Sequence, residues 1–161
     1  MMNKKLILLV LCLSVCVFGA CIKDESNTIV RGIDFGMSMD KVTSIESTKN
    51  GIDSIYSEDS KLLYDKVNAF GVSDSALMYV FEDDNLSVIF FSCPASKDNL
   101  EILLNNLRNE YGKESDYDDD RGIGNYSWNN NKYTIELTYN LLESDIIDPE
   151  DHSLSITFKS N

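Results

Sequence analysis

Histidine, tryptophan, proline and cysteine are all scarce in this chain of 161 residues, with one, one, two and four copies, and 14 basic residues stand against 27 acidic ones. The shortage of histidine restricts the chemistry most. A nucleophile–imidazole pair could use only His152, and the two-histidine zinc motif is excluded. No Gly-x-Ser-x-Gly, Cys-x-x-Cys or glycine-rich phosphate loop occurs. A formal charge of −13 repels phosphate backbones and anionic headgroups, which excludes nucleic acid as a partner. Acidic residues are so abundant that no single pair of carboxylates is informative as an acid–base dyad. Long hydrophobic runs are missing too. The uncharged stretch from Leu6 to Phe18 is about 13 residues, short of the roughly 20 that span a bilayer as a helix.

That stretch follows Lys4 and Lys5 and precedes small residues, the three parts of a secretory signal. Phe18-Gly19-Ala20-Cys21 resembles the lipobox of bacterial lipoproteins, in which small residues precede a cysteine that is acylated before cleavage. Phe18 departs from the leucine usual there. A second frame, Leu13-Ser14-Val15-Cys16, has the leucine but places valine where a small residue is wanted, and a plain secretory signal cut near Ala20 is the non-lipid alternative. The resemblance implies an exported chain held to the bacterial cell membrane or outer membrane by lipid on Cys21. The expected division is a signal peptide over 1–20, a lipidated tether over 21–31 and one domain over 32–161. Cys12 and Cys16 would leave with the signal and Cys21 would be acylated. Cys93 would then have no disulfide partner, and it reads as a small buried hydrophobe at a strand end.

Within the domain, Ser38 and Asp40 open a helix whose apolar face is Met39, Val42 and Ile45, stopped near Asn50-Gly51. Strands are expected from Leu62 to Phe70, Ser75 to Phe81 and Leu86 to Ser92, with residues 82–85 as a tight hairpin turn. Ala76 to Phe81 and Val88 to Phe91 are apolar on both faces and are expected to be the buried centre of a sheet. Leu100, Leu103, Leu104, Leu107 and Tyr111 follow one helical stripe between Ser96 as cap and Gly112 as stop. Three more strands follow near Ile123 to Trp128, Tyr133 to Tyr139 and Leu154 to Phe158. The last two alternate cleanly, which leaves one face wet.

Ser38-Met39-Asp40-Lys41-Val42 and Ser96-Lys97-Asp98-Asn99-Leu100 share a Ser-x-Asp-x-apolar helix start, each followed by three expected strands. The expected fold class is therefore α+β: two αβββ units, 32–93 and 94–161, forming an antiparallel sheet with helices packed on one face. Phe35-Gly36-Met37-Ser38-x-Asp40-x-Val42 resembles the helix start of small envelope lipoproteins of the SmpA/OmlA type. The doubled helix-then-sheet plan is similar to the β-lactamase inhibitor protein fold. These resemblances imply a non-enzymatic module that binds other proteins. The Gly-x-Pro usual after the first helices of the assembly lipoproteins is missing, and each unit has one helix rather than two.

Residues 116–122 form an acidic turn whose alternating Asp116, Asp118 and Asp120 are the only candidate calcium ligands, although Arg121 and Ser127 break the EF-hand pattern. For partner binding the candidates are the polar strand face of Thr134, Glu136 and Thr138, and the apolar Ile146 and Ile147 of the connection 140–151. Leu141, Leu142, Ile146 and Ile147 of that connection either fold onto the core, the favoured reading, or meet a partner, and Trp128 with Tyr126 reads as core. No cofactor is implied. The expected role is an envelope lipoprotein that binds an unknown envelope protein as an adaptor, and the alternative is a surface-displayed inhibitor or ligand-capturing protein.

Overall fold

Alternating apolar positions turn most of this chain into strands, and tight turns join them. The computed structural model describes residues 28–49, 54–141 and 153–161. Helix α1 (Met39–Glu46) precedes β1 (Ser54–Glu58), β2 (Lys61–Ala69), β3 (Val72–Glu82) and β4 (Asn85–Ser92). Helix α2 (Lys97–Tyr111) precedes β5 (Asp116–Asp120), β6 (Ile123–Asn129), β7 (Tyr133–Asn140) and β8 (Ser153–Ser160). All eight strands pair antiparallel in one sheet, in the order β1-β2-β3-β4-β8-β7-β6-β5. The fold is α+β and mostly sheet.

Each helix is followed by four strands, one more than the sequence pattern suggests. The additional strands, β1 and β5, are the two sheet edges. An edge strand can be polar throughout, so no apolar alternation marks it. β5 corrects the expected acidic turn: Asp116–Asp120 are extended, and only Arg121 and Gly122 turn, with φ of 52° and 92°. Asp83-Asp84 and Phe70-Gly71 make the same kind of two-residue turn with both φ values positive, the geometry that matches sheet twist. A bulky residue is strained in that conformation. Phe70 is held there by ring packing on Phe91 and Phe158 at 5.2 and 5.4 Å, and its carbonyl accepts a 2.6 Å hydrogen bond from Asn106 Nδ2 of α2.

The helix starts are as expected. Ser38 Oγ accepts from Lys41 N at 3.4 Å and Ser96 Oγ from Asn99 N at 3.1 Å. Both helices bury their apolar stripes in one cluster with a single face of the sheet: Val42, Leu103 and Leu107 join Leu77, Tyr79, Ile89, Phe91, Ile135, Leu137, Ile156 and Phe158. Trp128 lies in this core too, its Nε1 donating to Gly112 O at 2.9 Å, and Tyr126 packs beside it.

Two expectations need correction. The sheet centre is the β4–β8 pair, and Ala76, Met78, Val80, Val88 and Phe90 point to the opposite, outer face, where they are half-buried. Burial of both faces does not follow from a doubly apolar strand when only two helices are available as cover. The folded unit also begins before residue 32. Ile29 and Val30 are core residues, and Val30 pairs with Ile33 across an Arg31-Gly32 turn.

Gly124 on β6 faces the ring of Tyr139. A Cβ there would stand 2.5 Å from Tyr139 Oη and 2.7 Å from its Cζ, and would strike the Asp118 carbonyl. Gly124→Ala is expected to cost about 1–3 kcal/mol through this overpacking, read as a lowered urea midpoint at unchanged m-value.

Candidate functional surface

The outer face of the sheet is the surface that the described fold leaves open. Its side chains run in register across the strands: Leu63 of β2 opposite Met78, Met78 opposite Phe90, then Thr157, Glu136, Ser127 and finally Asp116 of β5. The neighbouring row carries Lys61, Val80, Val88, Lys159 and Thr134. The face therefore has three zones. An apolar band of Leu63, Met78, Val80, Val88 and Phe90 occupies β2 to β4, with Leu63 36% exposed. Neutral polar residues dominate β8, β7 and β6. The far edge is acidic, with Asp116, Asp118 and Asp120 all exposed. Among the described residues neither helix reaches this face.

The residues singled out in the sequence divide accordingly. Thr134, Glu136 and Thr138 do share the outer face, at the centre of its polar zone, where Thr134 Oγ1 donates to Asn161 Oδ1 at 3.0 Å. Asp116, Asp118 and Asp120 share that face as well. Being alternate residues of an extended strand, they are spaced about 6.6 Å apart per pair and fan out along the edge instead of converging. Among the described residues no group of three His, Cys, Asp or Glu side chains could hold a metal ion. Cys21, Leu142, Ile146, Ile147 and His152 lie outside the described residues. Leu141 is described and packs on the core. The apolar band was missed because Met78, Val80, Val88 and Phe90 read as interior, and Leu63 sits between Leu62 and Tyr64 in a run that reads as core.

A second centre was not legible at all. Glu46, at the end of α1, is fully buried at 0% exposure. Its carboxylate accepts from Tyr79 Oη at 2.6 Å, from Arg31 Nε at 3.1 and 3.2 Å and from Arg31 Nη2 at 3.0 Å, and Arg31 Nη1 donates to Asn68 O at 2.8 Å. The left-handed Arg31-Gly32 turn aims the guanidinium inward. Burial pushes the Tyr79 phenol far above the usual tyrosine range, and the negative charge of Glu46 and its hydrogen bond add to the shift. Nothing is left to accept a substrate proton or ligand, so this trio is a structural pin. It ties the first turn, α1 and β3 together.

A groove of about 1020 Å³ beside the pin is lined by Arg31, Asn68, Phe70, Gly71, Asn106 and Glu110. Arg31 and Asn106 already donate to Glu46, Asn68 O and Phe70 O, which leaves the groove without an unsatisfied buried group. On the inner face near the acidic edge, Tyr117, Tyr126 and Tyr139 stack at 5.8 and 5.9 Å, from an exposed end at Tyr117 (62%) into the core. Arg108 caps Tyr126 at 5.7 Å and forms a bidentate pair with Glu114, which holds the Glu114 carboxyl below the usual range. Cys93 is half-buried at the end of β4, where burial raises its thiol to about 11.

Removing the pin has calculable consequences. Glu46→Gln is expected to destabilise the fold by about 3–5 kcal/mol, because the Arg31 charge loses its partner in a largely enclosed site, where its side chain is 11% exposed. Tyr79→Phe is expected to cost about 1.5–3 kcal/mol. The folded-state pKa of Tyr79 is raised above the ordinary 10.0, so its contribution is complete below that value and is lost as pH rises and the unfolded phenol ionises. Urea titrations from pH 9 to 12 are expected to show a shallower alkaline fall in stability for Tyr79→Phe than for the parent. Cys93 is expected to be only about a thousandth thiolate at pH 8, so a thiol-reactive dye labels it slowly until urea unfolds the chain.

Three comparisons bear on kinship: no family model, no curated protein and no solved structure matches this chain.

Proposed function

We propose that this protein is a membrane-anchored bacterial envelope lipoprotein that acts without catalysis as a protein-binding or assembly adaptor. Its address rests on the lipobox-like Phe18-Gly19-Ala20-Cys21, with Cys21 as the acylated residue. The binding role rests on one observation, the open outer face with its apolar band. Soluble proteins seldom expose a contiguous apolar patch without a use for it. The inventory of side chains fits the same reading: one histidine, no nucleophile motif and an acidic surface are poor material for a catalyst and adequate for a docking module. From Cys21 to Thr28 the tether is at most about 25 Å long, which keeps the domain close to its membrane.

The domain itself reads as a duplication, amended from the three-strand plan to units of a helix and four strands over 32–93 and 94–161. The palindromic strand order, in which β4 meets β8 and β1 and β5 are the edges, supports it. So do the matching Ser-x-Asp caps. The same doubled plan favours a second reading, a surface-displayed inhibitor or ligand-capturing protein that needs no anchor to work.

Cross-linking and affinity capture from intact cells separate the two. The native chain is expected to fractionate with membranes and recover a specific protein that the secreted Cys21→Ser variant does not. Equal recovery from both forms favours the inhibitor. A native chain found in the soluble fraction overturns the lipoprotein assignment.

A further inference from the structure

We infer that the partner docked on the outer face is a basic protein whose surface sets exposed apolar side chains beside a cluster of lysine or arginine, reading the apolar band and the acidic edge together. This deepens the adaptor reading and rests on it.

The inference comes from how the three zones are placed. Phe90, Thr157, Glu136, Ser127 and Asp116 form one cross-strand row. Four inter-strand steps of about 4.8 Å put the apolar band and the carboxylates of β5 some 19 Å apart on the same face. That separation is within the footprint of an ordinary interface of about 800 Å² per partner. The five apolar side chains alone are too few for such an area, and a partner that extends across the polar zone reaches the edge. The charges it meets there are Asp116, Asp118 and Asp120, with Glu136 between. At the band, Lys61 stands opposite Glu58 of β1 and Lys159 lies on its other side, and Arg121 neutralises only Asp120, through an exposed 3.1 Å pair. The carboxylates outnumber the cations towards β5, and a complementary partner brings positive charge to that side.

Charge also decides against the other occupants. A second copy brings another formal charge of −13, so stacking two outer faces concentrates like charge around a small apolar contact. An anionic lipid surface is repelled in the same way. A basic protein gains at both ends: its apolar residues leave water against Phe90 and Met78, and its cations meet the β5 edge.

The test places a photoreactive phenylalanine analogue at Phe90 on the outer face, and separately at Ile102, which is exposed on α2, in the full chain expressed in its own cells. Cross-linked peptides are sequenced by mass spectrometry. The expected result is a cross-link from position 90 to a protein segment that is net basic and contains exposed apolar residues. In the Asp116→Lys, Asp118→Lys, Asp120→Lys triple variant its yield is expected to fall about tenfold. These three side chains are exposed, so the variant is expected to fold, and an unchanged circular dichroism spectrum checks that it does. A position-90 cross-link to an acidic or neutral segment, to another copy of this chain, or with a yield indifferent to the charge reversal overturns the inference. Cross-links from position 102 alone also overturn it while leaving the adaptor reading standing. No cross-link from either position removes both.

Discussion

Among the described residues two helices cover an eight-stranded sheet, and that mismatch of area shapes the fold. Eight strands at about 4.8 Å make a sheet more than about 30 Å wide, whereas two helices of about 10 Å diameter cover about two-thirds of one face. Aromatic side chains fill the remaining gaps. Phe35 meets Tyr133, Tyr133 meets Tyr111 and Tyr111 meets Phe158, each at a ring distance near 6 Å, and the Tyr117–Tyr126–Tyr139 stack closes the side beyond α2. With the inner face consuming both helices, the outer face has no secondary structure of the described chain left to cover it. The open apolar band is the residue of that shortage.

The short helix α1, with 8 residues, could not hold its place by propensity alone. It is fixed at both ends instead. Gly36 and Met37 exchange backbone hydrogen bonds with Leu86 at the β3–β4 turn, and the last residue, Glu46, is locked to Arg31 and Tyr79. A buried carboxylate is costly unless every lone pair is answered, and here a guanidinium fork and a phenol answer it. The pin also makes the first turn part of the core.

The acidic charge of the sheet gathers at one edge. β5 carries four aspartates in five residues, which blocks pairing with an identical edge, since two such strands would oppose like charges directly. The same carboxylates lie on one side with the polar zone of β7. An acidic edge that disfavours pairing with its own copy is compatible with the basic partner proposed above, because both depend on the sign of one row of charges.

What the sequence by itself determined is local: where strands alternate, where Ser38 and Ser96 cap helices, and that Asp83-Asp84 makes a tight turn. Period, cap chemistry and turn chemistry are set by neighbours in the chain, so they can be read from it. Tertiary structure alone decided the rest. The edge strands β1 and β5 carry no clean alternation and exist because β2 and β6 offer unpaired backbone. Glu46 looks like a solvated helix end until a residue 15 positions earlier and a tyrosine 33 positions later close on it. Whether Met78, Val80, Val88 and Phe90 are interior or surface depends on how many helices the chain can spare to cover them, and that is a property of the assembled sheet, not of any stretch of sequence.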